Sequence, residues 1–290
     1  MEVAAAYAEP LGFDALAADQ ILFFNYQGGQ GPSHDYWGCG TWSGSTFVRR
    51  YGPTYKGTNG AKTFPNYDPA YAADIASAIK TAKAYLTAHY PKMKLVVNHG
   101  TGLPADPNEV ELVASTDGEL SELGTSNHGN YASGLPAYFK DTLDYMEYVQ
   151  QRGVAFLSMN VIETGAAPTD AQTEWTLATY LMGNEGNAYM WLSGTSNPGF
   201  SWSWFPEYDT IDAKLGTPCA KYAVDGANPD LYARRFTGGL VLVNASPSVA
   251  AAAALPLGHT YTDLFSRAVA TPLPVSPADA YVLFTTNGCQ

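Results

Sequence analysis

Apolar positions in this chain recur with two different periods, and the change from one to the other divides it. Tyr71, Ile75, Ile79, Ala82 and Leu86 keep the three-to-four spacing of one helix face. Asp68 and Pro69 just ahead of them supply an N-cap and a first-turn proline. Phe139, Leu143, Met146 and Val149 predict a second helix over residues 137–152, closed by Gly153. Thr169 with Gln172 forms a capping box for a third helix, which Gly183 ends. Residues 107–114 read as a short helix, and residues 3–9 as the end of one stopped by Pro10 and Gly12. Between these lie short apolar runs at residues 13–24, 93–98, 118–123, 154–160 and 188–192. They read as strands, the first running on into a loop.

Strands that alternate with helices predict βαβ units and a parallel sheet. A closed (β/α)8 barrel takes about 250 residues, and the stretch from 13 to 194 is roughly three units short of one. The expectation is an α/β fold: a (β/α)8-type barrel truncated at its N-terminal side to about five βα units. After Pro206 no helical stripe is visible. Residues 231–236, 239–244, 259–263 and 281–285 read as short strands separated by Gly, Pro and Ser, which predicts a small all-β sandwich domain. The alanines at 250–254 read as strand or loop, because Pro256 follows. The expected domains are residues 1–205 and 206–290.

Residues 25–67 fit neither period. A run of over forty residues without periodicity is uncommon in a compact domain and is usually functional or disordered. Its Tyr and Trp content favours function. Across the chain there are 20 Tyr, 12 Phe and 6 Trp, and rings with a flat apolar face and a polar tip suit sugars as well as core packing.

Composition narrows the partners. Hydrophobic residues make up 46% and charged residues 14% of the 290, so a large core is expected and disorder is not. A net charge of −12 argues against nucleic acid and anionic membrane surfaces. No apolar run reaches the roughly 18–20 residues of a membrane span. The opening MEVAAAYAEP lacks the basic and apolar regions of a signal peptide. The three cysteines, Cys39, Cys219 and Cys289, lack zinc-site spacing; one disulfide and one thiol is one arrangement they allow. The five histidines show no ligand spacing, so neither a metal nor a cofactor is expected. There is no GxSxG, Walker or HExxH motif, and the GGQG and GCG glycines do not open a helix after a strand.

Carboxylates and amides at strand ends remain. In a parallel barrel the active site lies at the C-terminal ends of the strands. Those ends carry Asp19, Asn98, Glu119 and Glu122, Asn160 and Trp191. Glycoside hydrolysis requires two acids, one to protonate the leaving oxygen and one to attack or to activate water. Asp19 and Glu122 are the candidate catalytic pair; the bland alternatives are a turn cap and a solvated strand-end charge. Glu119 lies an odd number of residues from Glu122 and so faces the other way on a regular strand. Asn98 and Asn160 are candidate ligands for sugar hydroxyls, with Trp191 beside them. Tyr26, Trp37 and Trp42 either stack on sugars or anchor the long loop. Glu163 reads as surface, and Trp202 and Trp204 as packing at the domain junction.

The segments GFDALAADQI (12–21), LVVN, DGELSE (117–122) and TEWTLATYLMGNEGNAYMWL (173–192) resemble, in their order, glycosyl-hydrolase-like barrels with a C-terminal β domain. LGTPCAKY (215–222) and LYARRFTGGLVLVNAS (231–246) are similar to the approach to that domain. The resemblance implies a barrel acting on a glycan, with Asp19 and Glu122 as the matching acids. Gln20 stands where the family pattern has Asn, and the chain begins within the third unit of that pattern. The leading expectation is a glycoside hydrolase acting on a poly- or oligosaccharide outside the cell or in the periplasm. The alternatives are a non-catalytic carbohydrate-binding or structural barrel, and a hydrolase of another class on the same fold.

Overall fold

The computed structural model describes residues 1–23, 40–49, 56–59, 62–65, 69–100, 102, 104, 106–122, 124–125, 137–162, 167–193 and 204–289. In chain order, helix α1 (Glu2–Ala8) leads into a 3-10 turn and strand β1 (Ala15–Ala18). Two hairpins follow, β2 (Gly40–Ser43) with β3 (Thr46–Arg49), and β4 (Lys56–Asn59) with β5 (Lys62–Pro65). Next come α2 (Pro69–His89), β6 (Lys94–Asn98), α3 (Pro107–Val113), β7 (Gly118–Ser121), α4 (Ala137–Gln150), β8 (Ala155–Val161), α5 (Asp170–Gly183), β9 (Ala188–Ser193) and α6 (Pro206–Lys214). The C-terminal strands are β10 (Ala223–Val224), β11 (Leu231–Phe236), β12 (Gly239–Asn244), β13 (Ala251–Ala253), β14 (Tyr261–Asp263), β15 (Ala268–Val269), β16 (Leu273–Val275) and β17 (Asp279–Phe284).

The helices and strands read from periodicity are present, with ends shifted by a few residues. Three expectations are corrected. The first strand is four residues long rather than the whole apolar run 13–24, and Asp19 falls immediately after it. The aperiodic stretch 25–67 contains two hairpins. Their four-residue strands are too short for an alternating pattern to stand out. Past Pro206 a nine-residue helix, α6, precedes the β strands. Its one buried position, Ile211, leaves no stripe to read, and the Pro206 taken as a break is its first-turn residue.

β1, β6, β7, β8 and β9 form one five-stranded parallel sheet, in that order. Each strand is added beside its predecessor without reversal. That progression is compatible with part of a barrel and differs from a doubly wound sheet, whose order reverses at a switch point.

The chain divides into two compact units, residues 1–121 with 148–156, and residues 122–147 with 157–290. In the first, α2 presents Ala72, Ala76, Ile79 and Leu86 to Leu95 and Val97 of β6 and to Leu112 of α3. In the second, β10-β11-β12-β17-β14-β15 form a six-stranded antiparallel sheet and β13-β16 a two-stranded one. Alternation along the central strands separates two cores. Val241, Val243, Ala280, Val282 and Phe284 face α5; Leu240, Leu242 and Leu283 face β13 and β16. Helix α5 is buried from Thr173 to Gly183, apart from half-buried Tyr180, and its buried residues include the polar Thr173, Glu174, Thr176 and Thr179. Gly183 allows close packing: a Cβ there would lie 2.8 Å from Met146 Sδ. Cys219 and Cys289 are disulfide-bonded; Cys39 lies outside the described residues. No helix among the described residues is long and apolar enough to cross a membrane.

Candidate functional site

The parallel register places two sequence candidates side by side. Ala18, the last residue of β1, pairs with Val97 of β6, so Asp19 and Asn98 follow at the carboxyl ends of adjacent strands. Asn98 Nδ2 donates to Asp19 Oδ1 at 2.7 Å, and the Gln20 N–H donates to the same oxygen at 2.9 Å. Neither bond uses Oδ2. Asp19 is exposed and Asn98 half-buried. Gln20 adopts a left-handed φ of 53°, which turns the chain so that the Ile21 N–H donates to the Asn98 carbonyl at 2.9 Å. The carboxylate is therefore fixed by one side-chain and one backbone donor while staying open to solvent.

Beneath this pair lies a charged cluster that sequence reasoning missed. His99 is buried, and its Nε2 lies 2.8 Å from Glu109 Oε2 of α3. Its Nδ1 donates to the Ile21 carbonyl. A carboxylate on one ring nitrogen and a carbonyl on the other call for a proton on each, the imidazolium form. Burial by itself would depress the pKa. The charge and hydrogen bond of Glu109, the charge of Glu119 and the Ile21 carbonyl outweigh it and raise His99 to about 9. Glu119, on β7, is fully buried. The available signal was the Asn98-His99 dipeptide at a strand end, but the partner Glu109 sits on a helix read only as structural.

The other candidates are distributed differently. Glu122, next after β7, is exposed. Asn160 on β8 is fully buried; its Oδ1 accepts from the Thr125 N–H at 2.8 Å and its Nδ2 donates to Ser158 Oγ at 3.0 Å. Gly124, at φ 52°, passes so near that a Cβ would lie 2.3 Å from Asn160 Oδ1. Trp191 on β9 is half-buried. Trp42, on the β2-β3 hairpin, is 71% exposed. Tyr26, Trp37, Glu163 and Trp202 lie outside the described residues. Among the described residues no three His, Cys, Asp or Glu side chains gather as a metal-ligand set.

No family model matches the chain, and no curated protein does. Solved structures give distant similarity. An alpha-amylase from Lactobacillus plantarum is 14% identical, with a TM-score of 0.35 over 72% of this chain and 59% of that one. The noncanonic maltogenic alpha-amylase AmyB from Thermotoga neapolitana is 9% identical, with a TM-score of 0.35 over 77% and 68%. A GH30 endoxylanase from Clostridium papyrosolvens C71 is 9% identical, with a TM-score of 0.29 over 80% and 75%. The chain thus spans 59% of the length of the first of these. Similarity at this level transfers no residue roles.

Proposed function

We propose that this protein hydrolyses glycosidic bonds of a poly- or oligosaccharide, with Asp19 and Glu122 as its acids. The observation that carries the reading is the exposed Asp19 carboxylate, held by Asn98 at the carboxyl ends of two adjacent parallel strands. Ligands of parallel α/β sheets bind at that edge. A carboxylate anchored through one oxygen and open to solvent has the chemistry of a nucleophile or general base. Glu122 follows β7, whose Leu120 pairs with Asn98, so it too leaves a strand at its carboxyl end. Asn98 then orients Asp19, and Trp191 is the aromatic assigned to the substrate. Asn160, bonded within its own unit, shapes the loop carrying Thr125. The Cys219–Cys289 disulfide supports work in an oxidising, extracellular or periplasmic setting.

A screen of the full chain against xylan, glucan, chitin and starch oligosaccharides, read as released reducing ends, tests the proposal. Asp19→Asn and Glu122→Gln should each lower turnover at least a thousandfold while the fold persists. Absence of turnover in the parent on every glycan, or full turnover in both variants, defeats it. The second reading, a non-catalytic carbohydrate-binding barrel, draws on Trp42, whose exposed ring could hold a sugar without any acid. In that case the parent binds glycans without cleaving them, and Trp42→Ala removes the binding.

A further inference from the structure

A concave surface lies within the unit formed by residues 122–147 and 157–290. It is a cleft of about 830 Å³ bordered by α5, β9, α6 and the end of β11. Tyr180, Tyr189, Trp204 and Tyr208 line it, together with the acids Glu185 and Asp212. Tyr189 and Trp204 are 60% and 69% exposed. Large rings left that open beside a concave surface are a departure from ordinary packing.

Three of the rings, Trp204, Tyr208 and Tyr180, are held in place. Trp204 Nε1 donates to Asp209 Oδ2 at 3.1 Å, and its ring meets Tyr208 edge-on, with centroids 5.2 Å apart and planes at 90°. The Tyr180 hydroxyl donates to the Ala188 carbonyl at 2.7 Å and accepts from Asn184 Nδ2 at 3.1 Å. Such preorganisation lowers the entropy lost on binding. The charge of the wall selects the ligand. Arg234, the cation paired with Glu185, is buried and bound also to four backbone carbonyls. No Lys or Arg is among the described residues that line the cleft, so an anionic ligand meets carboxylates there. A neutral polyhydroxylated ring fits: its C–H face stacks on Trp204 or Tyr189 while its hydroxyls donate to Asp212 or Glu185. The volume lies in the range of sites for organic ligands of several rings. A single ammonium headgroup would leave most of it empty.

We propose that the cleft between α5, β9 and α6 is a saccharide-binding site separate from the Asp19 strand end, with Trp204 and Tyr189 as stacking platforms. The choice of a saccharide rests on the functional reading above; the existence of the site rests on its own geometry.

Calorimetric titration of the full chain with xylo-, cello-, malto- and chito-oligosaccharides of four to six units tests this. At least one should bind the parent and the Asp19→Asn/Glu122→Gln variant equally. Trp204→Ala and Tyr189→Ala should each weaken it tenfold or more, with Trp204→Phe retaining most of the affinity. Binding unaffected by both alanine variants overturns the site, as does binding lost in the Asp19→Asn/Glu122→Gln variant. Binding of choline in place of every saccharide, or of no probe at all, overturns it as well. If the parent cleaves no glycan yet shows the Trp204-dependent binding, the hydrolase reading falls and this site stands; cleavage with Trp204-independent binding is the converse.

Discussion

Arg234 shows what a single side chain of this fold does. It projects from β11 with 1% exposure and meets the C-terminal end of α5. Its Nη1 donates to the carbonyls of Leu181, Met182 and Asn184 at 2.8–3.1 Å. Its Nε reaches the Ala220 carbonyl at 3.1 Å, and Nη2 pairs with Glu185 at 3.0 Å. A helix ends with unsatisfied carbonyls and partial negative charge, and the guanidinium fork answers both. Arg234→Ala should lower unfolding stability by about 3–5 kcal/mol, because several buried acceptors lose their donor. Arg234→Lys should recover only part, having no fixed fork. Urea midpoints measure both, and an Ala variant within 1 kcal/mol of the parent would refute the role. At this scale the sequence was only partly legible. Asp19 and Asn98 could be named because strand ends are readable and polar residues there are few. Arg234, in the LYARRF strand, could not be assigned, since all its partners but Ala220 lie some fifty positions earlier in the chain. Asn244 is similar: its amide donates to the carbonyls of Val249, Val275 and Ser276, none of which periodicity could identify.

Among the elements, α5 was the most legible and the least ordinary. Its start follows from local chemistry: the Thr169 side chain accepts from the Gln172 N–H at 3.3 Å, and Gln172 Oε1 accepts from the Thr169 N–H at 2.9 Å. Thr169→Ala should lower stability by about 1 kcal/mol, seen as a small downward shift of the thermal midpoint. A larger loss would mean that Thr169 contributes more than the cap. Legible elements were those long enough for a stripe or carrying a cap. The hairpins β2-β3 and β4-β5 and the helix α6 were missed because each is brief and contributes few apolar positions. Sheet order was legible only as alternation. The sharing of α5 with the antiparallel sheet was not, because a helix buried on all sides looks the same whatever covers it. The disulfide acts at this scale too. Cys219 precedes β10 and Cys289 follows β17, 70 residues apart. Crosslinking such a loop restricts the unfolded chain by about 4 kcal/mol in the chain-entropy model. Replacing both cysteines by serine should lower the urea midpoint accordingly, and an unchanged midpoint would show that the crosslink adds nothing.

For the molecule as a whole, the buried titratable groups set how stability varies with pH. Glu174 on α5 is buried, its Oε1 accepting from the Val282 N–H at 2.9 Å. Burial raises its pKa to about 8; the Asp263 and Asp279 charges add to this, against the Val282 hydrogen bond and Arg267. The folded protein therefore binds this proton where the unfolded chain, near 4.5, has released it. That stability is complete below about 4.5 and is lost as pH rises through about 8. His99 has the same sign: its contribution is complete below 6.5 and disappears as pH rises through about 9. Asp117 has the opposite sign. Burial opposes ionisation, but the Lys83 ion pair, the Leu95 N–H and the Lys94 charge outweigh it and lower its pKa. Its contribution is present above 3.8 and lost as pH falls through the lowered value. Net charge adds to the alkaline trend, since −12 at pH 7 is self-repelling and diminishes on acidification. Thermal midpoints should therefore be highest near pH 4–5 and decline across the neutral range into the alkaline. Glu174→Gln keeps an acceptor for Val282 N–H while removing the proton-linked step. It should flatten the decline between about pH 5 and 8 and leave the later fall through 9, which His99 governs. Midpoints measured by calorimetry from pH 4 to 10 decide the matter: parallel curves for the parent and Glu174→Gln would show that Glu174 does not hold its proton in the folded protein.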